Sequence, residues 1–161
     1  MHPLLPAVAA AEYGHRAALG LERHGHEPGA ILETILDRES GEAGLLWMRS
    51  ATGDAEQLDQ HRITEDAAEA IALALVHEAQ GWVVRRRLQR GESADWLLHD
   101  PKARPVALEV SGIGEGEDPQ RLRQKLEQVR GVTVAQHRAA CVVEMPVPRA
   151  TVATVGGHDE P

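Results

Sequence analysis

Residues 94–116 read ADWLLHDPKARPVALEVSGIGEG, and this stretch decides which fold the chain can form. Two apolar runs, WLL and VAL, lie on either side of DPKARP, a turn sequence with two prolines. Short apolar runs around such a turn are typical of two paired β-strands. Each strand also carries an acid, Asp95 in the first and Glu109 in the second. Buried strands seldom carry a carboxylate unless its charge is balanced.

The turn also predicts which residues of the two strands face each other. We take the turn to be symmetric about Lys102, which makes the strands antiparallel. The predicted pairs are Leu98 with Val106, Trp96 with Leu108, and Asp95 with Glu109. Directly opposed residues have Cβ atoms about 4.5–5.5 Å apart, and like charges placed there are destabilising. The facing carboxylates therefore predict a bound cation.

Length and composition limit the class of protein. A chain of 161 residues with 42% hydrophobic residues predicts one globular domain. The formal net charge of −8 disfavours non-specific adhesion to nucleic acid or to an anionic membrane. Cys141 is the only cysteine, which fits a reducing compartment. The N-terminal apolar run is short and has no basic residue before it, so we expect no signal peptide, no membrane span and a cytoplasmic location.

The hydrophobic pattern divides the chain into three sections. Residues 1–63 predict a helix from Pro6 to Arg23 and a β-hairpin that turns at residues 40–44, SGEAG. Residues 64–145 predict the order α-β-β-β-α-β. Its first helix is capped by Thr64 and stops at Gly81, and its second begins at Asp118-Pro119 and ends at Arg130. Residues 146–161 predict a loosely ordered tail. The expected fold class is α/β (α+β), with a mixed central sheet flanked by helices.

The run RRRLQR at residues 85–90 contains four arginines in the strand that follows the first of these two helices. In an alternating strand Arg85 and Arg87 share one face and Arg86 takes the other. The run either solvates an edge strand or lines a path for phosphates. Charged edge strands are common, so the pattern favours the first interpretation.

A third acid extends the predicted cation site. On the helix after Thr64, the apolar stripe is taken through Ile71, Ala74 and Leu75, and the next position on that face is Glu78. Glu78, Asp95 and Glu109 together offer only oxygen ligands, which suit Mg²⁺ or Mn²⁺. The alternative is that Glu78 frays at the helix end, Asp95 caps a strand at the surface and Glu109 pairs with an arginine.

Residues 64–145 resemble the PD-(D/E)xK nuclease superfamily, which has the restriction-endonuclease-like fold. The resemblance lies in the αβββαβ order, with Asp95 at the motif's first acid and Glu109, in EVS, at its second. Glu78 corresponds to the helix acid of some members. The resemblance implies a core at 64–145 with an N-terminal helix and hairpin extension. It also implies a metal-dependent nuclease whose acids hold Mg²⁺ or Mn²⁺ for phosphodiester hydrolysis.

The chain departs from the motif at its lysine. Ser111 stands two residues after Glu109, and a hydroxyl does not supply the positive charge that neutralises a developing oxyanion. In some members the lysine lies on the following helix, and Lys125 borders the buried stripe of Leu122, Leu126 and Val129. We therefore count Lys125 and Ser111 with Asp95 and Glu109 as candidate catalytic residues. The alternative for Lys125 is a solvated side chain lying along the helix flank.

Two functions follow from the resemblance. The first is a nuclease acting on nucleic acid, with DNA taken as the substrate, in bacterial phage defence or DNA processing. The second is a nuclease fold that has lost catalysis and serves as an interaction or regulatory subunit of a larger complex. A protein partner or a homodimer through residues 1–63 is compatible with both.

Overall fold

The computed structural model describes residues 7–50, 59–116 and 118–155. Three helices and seven strands follow one another along these residues. In chain order they are α1 (Ala7–Arg23), β1 (Ala30–Leu36), β2 (Glu39–Leu45), α2 (Gln60–Gln80), β3 (Val83–Arg87), β4 (Trp96–His99), β5 (Pro105–Ile113), α3 (Arg121–Arg130), β6 (His137–Glu144) and β7 (Arg149–Val155).

All seven strands form one mixed sheet in the order β2-β1-β7-β6-β5-β4-β3. The pairs β5 with β6 and β1 with β7 are parallel, and the other neighbours are antiparallel. The helix α3 connects the two parallel strands β5 and β6. The fold class is therefore α/β, with a seven-stranded mixed sheet flanked by three helices.

Strand alternation assigns the helices to opposite faces of the sheet. Leu108 and Val110 of β5 belong to the core cluster that includes α2, whereas Ala107 packs with Val129 of α3. Because successive side chains of a strand point to opposite faces, α2 covers one face and α3 the other. Glu109 and Ser111, at odd positions like Ala107, face α3.

The β4–β5 hairpin has the predicted register. Trp96 pairs with Leu108 and Leu98 with Val106. The turn is fixed by Asp100, whose carboxylate accepts the backbone N–H groups of Lys102 and Arg104. The prediction that β3 is an edge strand is also confirmed, since β3 ends the sheet order.

The predicted turn of the first hairpin was wrong. Leu36 pairs with Glu39, so the turn is Asp37-Arg38 and residues 40–44 lie within β2. Asp37 has a positive φ of 54°. Asp is one of the few residues that tolerate this conformation, which a two-residue hairpin turn requires. The carboxylate of Asp37 also accepts the backbone N–H of Thr154, at 2.8 Å.

The predicted helix starts were also displaced. Asp59, not Thr64, caps α2, since its carboxylate accepts the N–H of Arg62. Thr64 lies inside the helix, with its hydroxyl donating to the carbonyl of Gln60. The stop at Gly81 is confirmed, with φ of 68°. The second predicted helix, α3, begins at Arg121 rather than at Asp118-Pro119. The predicted start of the first helix, at Pro6, lies outside the described residues.

The predicted loose tail is instead partly a strand inside the sheet. β7 lies between β1 and β6, and its Ala150 and Val152 are fully buried. Residues 149–155, RATVATV, alternate in burial as a strand does when one face is covered. Residues 156–161 of the predicted tail lie outside the described part of the chain.

Candidate functional site

The candidate site lies beside the part of β5 that extends past its pairing with β4. β5 extends to Ile113, but its pairing with β4 stops at Leu108. The next two N–H groups on that edge belong to Val110 and Gly112, and buried backbone groups require partners. Asp95 accepts the N–H of Val110 through Oδ2 at 2.8 Å, and Glu65 of α2 accepts that of Gly112 through Oε2 at 3.2 Å. Two carboxylates thus take the place of the missing strand.

Glu109 directly precedes Val110 on β5 and points to the other face, toward α3. Its side chain is buried, and Oε1 accepts a hydrogen bond from Lys125 Nζ at 2.6 Å. Lys125 Nζ also lies 3.3 Å from Oε1 of Gln128. The structure therefore brings Glu109 and Lys125 together from β5 and α3.

The pKa of Glu109 reflects its burial more than the charges around it. Burial raises it to about 7, the hydrogen bond from Lys125 opposes the rise, and the negative charge of Asp95 adds to it. Lys125 thus contacts one of two neighbouring acids. A further cation would relieve this repulsion, because an opposite charge at short range favours the ionised carboxylate.

Ser111 is buried on the same face of β5 as Glu109, two residues further along. Its hydroxyl carries no charge, so it does not balance the charge of Glu109. The ammonium group that contacts Glu109 comes from α3 instead. Lys125 of α3 therefore supplies Glu109 with a positive charge that Ser111, on the same strand, does not.

Glu78 does not belong with these residues, contrary to the sequence prediction. It is exposed near the end of α2, where it lines a groove with α1 and the residues after β2. The N-terminal turn of α2 packs on Gly112 and its C-cap Gly81 lies beside Pro101, so α2 runs along β5 in the opposite direction. Glu78 is thirteen residues beyond Glu65, about 20 Å along the helix axis. The α2 acid beside β5 is therefore Glu65.

Another acid of α2, Glu69, is buried near Asp95, on the face of the sheet opposite Glu109. Its Oε1 accepts a hydrogen bond from Arg87 at 2.7 Å, and the hydroxyl of Tyr13 lies 3.4 Å from Oε2. Burial raises the pKa of Glu69 to about 6 although Arg87 opposes the rise, and Asp95 contributes to it. The sequence analysis missed both Glu65 and Glu69. Their signal is a spacing of four residues, which places both on one side of α2.

The donor set fits a divalent cation of the oxygen-binding kind only in part. No group of three or more His, Cys, Asp or Glu side chains in residues 7–50, 59–116 and 118–155 is arranged to hold a metal ion. Asp95 and Glu109 are two carboxylates, each with one oxygen already in a hydrogen bond. Mg²⁺ is commonly held by one or two carboxylates, with waters and substrate phosphates completing its shell. Asp95 and Glu109 meet the carboxylate requirement of that mode, and waters and a substrate phosphate would have to supply the other ligands.

Comparisons of this chain with protein-family models, with curated proteins and with solved structures found no match. Within the described part of the chain, none of the helices has the length and apolar character needed to cross a membrane.

Proposed function

We propose that this protein is a metal-dependent nuclease with a restriction-endonuclease-like core at α2–β6. The observation that carries the proposal is the contact of Lys125 with buried Glu109 beside Asp95. The resemblance assigns these residues to the two acid positions and the displaced-lysine position of the motif. The core strands lie in the order β3-β4-β5-β6, with α3 joining the parallel pair β5 and β6, which agrees with the αβββαβ arrangement.

Asp95 and Glu109 would hold Mg²⁺ or Mn²⁺. A bound ion of this kind polarises a phosphoryl oxygen and lowers the pKa of water. The backbone N–H of Val110 fixes one oxygen of Asp95 and leaves Oδ1 for the ion. Glu65, two backbone positions further along the edge, would accept hydrogen bonds from waters around it.

Lys125 would have two roles in the same site. Before substrate binds, its ammonium group balances the charge of Glu109, at 2.6 Å. With a phosphodiester present, the same group would orient the attacking water and offset the negative charge that develops on the phosphate oxygens. The side chain is one-fifth exposed, so Nζ can be reached from outside the sheet.

A titration with Mg²⁺ or Mn²⁺, followed by thermal unfolding, tests the cation site. Binding to the folded state alone raises Tm by mass action. We expect saturable stabilisation in the wild type and its loss in Asp95→Asn, which keeps the shape and the acceptor for Val110. Glu78→Gln is the matched control, since it removes an exposed acid from the other end of α2.

Cleavage assays with single- and double-stranded DNA and RNA then test the reaction. Metal-dependent cleavage should disappear in Asp95→Asn and Glu109→Gln and persist in Glu78→Gln. Absence of both metal stabilisation and cleavage in the wild type would refute the nuclease proposal.

The second candidate function is an interaction subunit that keeps the nuclease fold without catalysis. Ser111 in the lysine position favours it, as does an apolar groove of about 500 Å³ between α1, α2 and the residues after β2. Leu46 and Met48 border this groove and are 86% and 90% exposed. Large exposed apolar side chains beside a groove are typical of protein contacts. Under this function, Leu46→Glu should abolish self-association or partner binding in sedimentation experiments, and Asp95→Asn should not.

A further inference from the structure

A polar and aromatic cluster joins four elements at the end of the sheet where Asp95 lies. Its members are Tyr13 of α1, Glu69 of α2, Arg87 of β3 and Trp96 of β4. Arg87 donates to Glu69 Oε1 at 2.7 Å and to the Tyr13 hydroxyl at 3.2 Å. Three of the four side chains therefore form one hydrogen-bonded network.

The indole of Trp96 is held between two members of this network. The guanidinium carbon of Arg87 lies 5.4 Å from the ring centre, within the range of a cation–π contact. The ring of Tyr13 meets the same indole edge-on, with centroids 5.7 Å apart. Trp96 is 4% exposed, so its orientation is fixed by these neighbours and by the core.

Trp96 is the residue directly after Asp95, and the backbone of Asp95 is itself held on both sides. Its carbonyl accepts the N–H of Leu88 at 2.7 Å, and its own N–H donates to the carbonyl of Leu108 at 3.1 Å. The adjacent indole completes the restraint on this part of the chain. The direction of the Asp95 carboxylate toward Val110 thus depends on the pairing of the end of β3 with the start of β4.

We propose that Tyr13 and Arg87 are positioning residues for Asp95, so that α1 supports the cation site through the indole of Trp96. The inference rests on the proposed function, because it concerns the same carboxylate. It assigns a role to the N-terminal section that the sequence left open. Neither residue is a candidate metal ligand. Both contact Trp96, and the charge of Arg87 also attracts the Asp95 carboxylate.

The protonation states of the cluster agree with this role. Burial and the nearby negative charge of Glu69 raise the pKa of Tyr13 to about 12. The phenol therefore stays protonated at neutral pH, accepts from Arg87 and keeps a hydrogen for Glu69. Arg87 is charged under all ordinary conditions.

The test is the dissociation constant for Mn²⁺ of Tyr13→Phe and Arg87→Lys, measured by calorimetry on the full chain. Both changes conserve formal charge, so a weaker affinity would reflect geometry rather than lost attraction for the ion. Loss of a supporting contact typically weakens metal binding by about 10–100-fold. We expect Kd to rise about ten-fold in Arg87→Lys. The rise should be smaller in Tyr13→Phe, which keeps the ring against Trp96 and loses only the hydroxyl that contacts Arg87 and Glu69.

Trp47→Phe is the matched control. Trp47 donates through Nε1 to Glu22 at 3.0 Å, and so joins α1 to the residues after β2 in a comparable aromatic–carboxylate contact. This variant should lower Tm and leave the Mn²⁺ Kd unchanged. Far-UV circular dichroism establishes whether each variant is folded. If Arg87→Lys does not fold, the Mn²⁺ Kd of Tyr13→Phe decides the question.

The outcomes separate this inference from the function on which it rests. Saturable binding in the wild type with the same Kd in folded Tyr13→Phe and Arg87→Lys would overturn the positioning role and leave the nuclease proposal standing. A wild type that binds no Mn²⁺ would overturn both. A cluster with a purely structural role would lower Tm in all three variants without changing Kd.

Discussion

Lys125 on α3 and Glu109 on β5 form an ion pair of 2.6 Å across the face of the sheet that α3 covers. Both side chains are largely removed from water, with 20% and 4% of their surfaces exposed. Breaking a buried pair is costly because it leaves one charge without compensation. The pair therefore links the stability of the α3–β5 contact to the chemistry proposed for the site.

Replacing Lys125 by Met should destabilise the protein and abolish cleavage. We expect the free energy of unfolding at pH 7 to fall by about 1–3 kcal/mol. This is less than the loss expected for a buried carboxylate that stays charged without its partner, because Glu109 can take up a proton. Urea unfolding measures this change. The other lysine, Lys102 in the β4–β5 turn, provides the control Lys102→Met, which should leave stability and activity near wild type.

A double-mutant cycle with Lys125→Met and Glu109→Gln tests the coupling directly. The double variant should lose less stability than the sum of the two single variants, because neither partner is left charged and alone. Additive losses would contradict the pairing.

The stability contribution of Glu69 should fall as the pH rises. Its pKa of about 6 lies above the ordinary value of 4.5, so the folded protein holds the proton more tightly than the unfolded chain. The contribution is complete below about pH 4.5 and is lost as the pH rises through about 6. Its size is at most about 2 kcal/mol.

The measurement for Glu69 is the free energy of unfolding of wild type minus that of Glu69→Gln, between pH 4 and pH 7. Glu92→Gln supplies a control of opposite sign. Hydrogen bonds from Arg86 and from the backbone of Gln89 lower the pKa of Glu92 to about 2, so its contribution is lost as the pH falls below 4.5. A pH-independent difference for Glu69→Gln would contradict the prediction.

Gly112→Ala should be strongly destabilising. An added Cβ would lie 2.7 Å from the carbonyl oxygen of Thr64 and 2.8 Å from its methyl group, so α2 would have to move off β5. Overpacking of this kind costs about 1–3 kcal/mol. Gly14→Ala is the comparison, since nothing lies within 4 Å of the position that its methyl group would take on α1, and alanine favours a helix. We expect Gly14→Ala to raise Tm and Gly112→Ala to lower it.

Truncation after Val147 should prevent cooperative folding. It removes β7, whose two neighbours in the sheet are β1 and β6. The exposed edges and the lost core side chains Ala150 and Val152 would leave the sheet in two parts. Thermal unfolding by circular dichroism should change from a sharp transition to a broad one, whereas truncation after Val155 should keep the sharp transition.

The part of the fold that was predictable rests on strong local signals. The turn DPKARP fixed the β4–β5 register, because its prolines and Asp100 permit few turn geometries. The spacing of Leu122, Lys125 and Val129 placed the lysine at the edge of the buried side of α3. In both cases the residue types are specific: proline and aspartate for the turn, and a lysine next to large apolar residues for the edge of the buried side of the helix.

The buried side of α2 and the strand β7 were missed because their residues give no such specific signal. The buried positions of α2 include Ala67, Ala68 and Ala72, whereas Ala74 is exposed. Alanine is found on either face of a helix, so the sequence did not show that Ala74 is on the exposed side. Taking Ala74 as buried led to the choice of Glu78 as the acid on the core-facing side instead of Glu65. In β7, alternating Ala, Thr and Val after two prolines gave too little hydrophobic contrast to distinguish a central strand from a tail.

The position of β7 has a consequence for biosynthesis. The hairpin β1–β2 leaves the ribosome before the other strands of the sheet, yet the strand that joins it to them is the last of the seven described strands to be made. Thr34 pairs with Ala150 across more than a hundred intervening residues. Contacts so distant in sequence slow folding, because a long loop must close before they form. The nascent chain must therefore keep an unpaired hairpin edge away from other chains until β7 has been made.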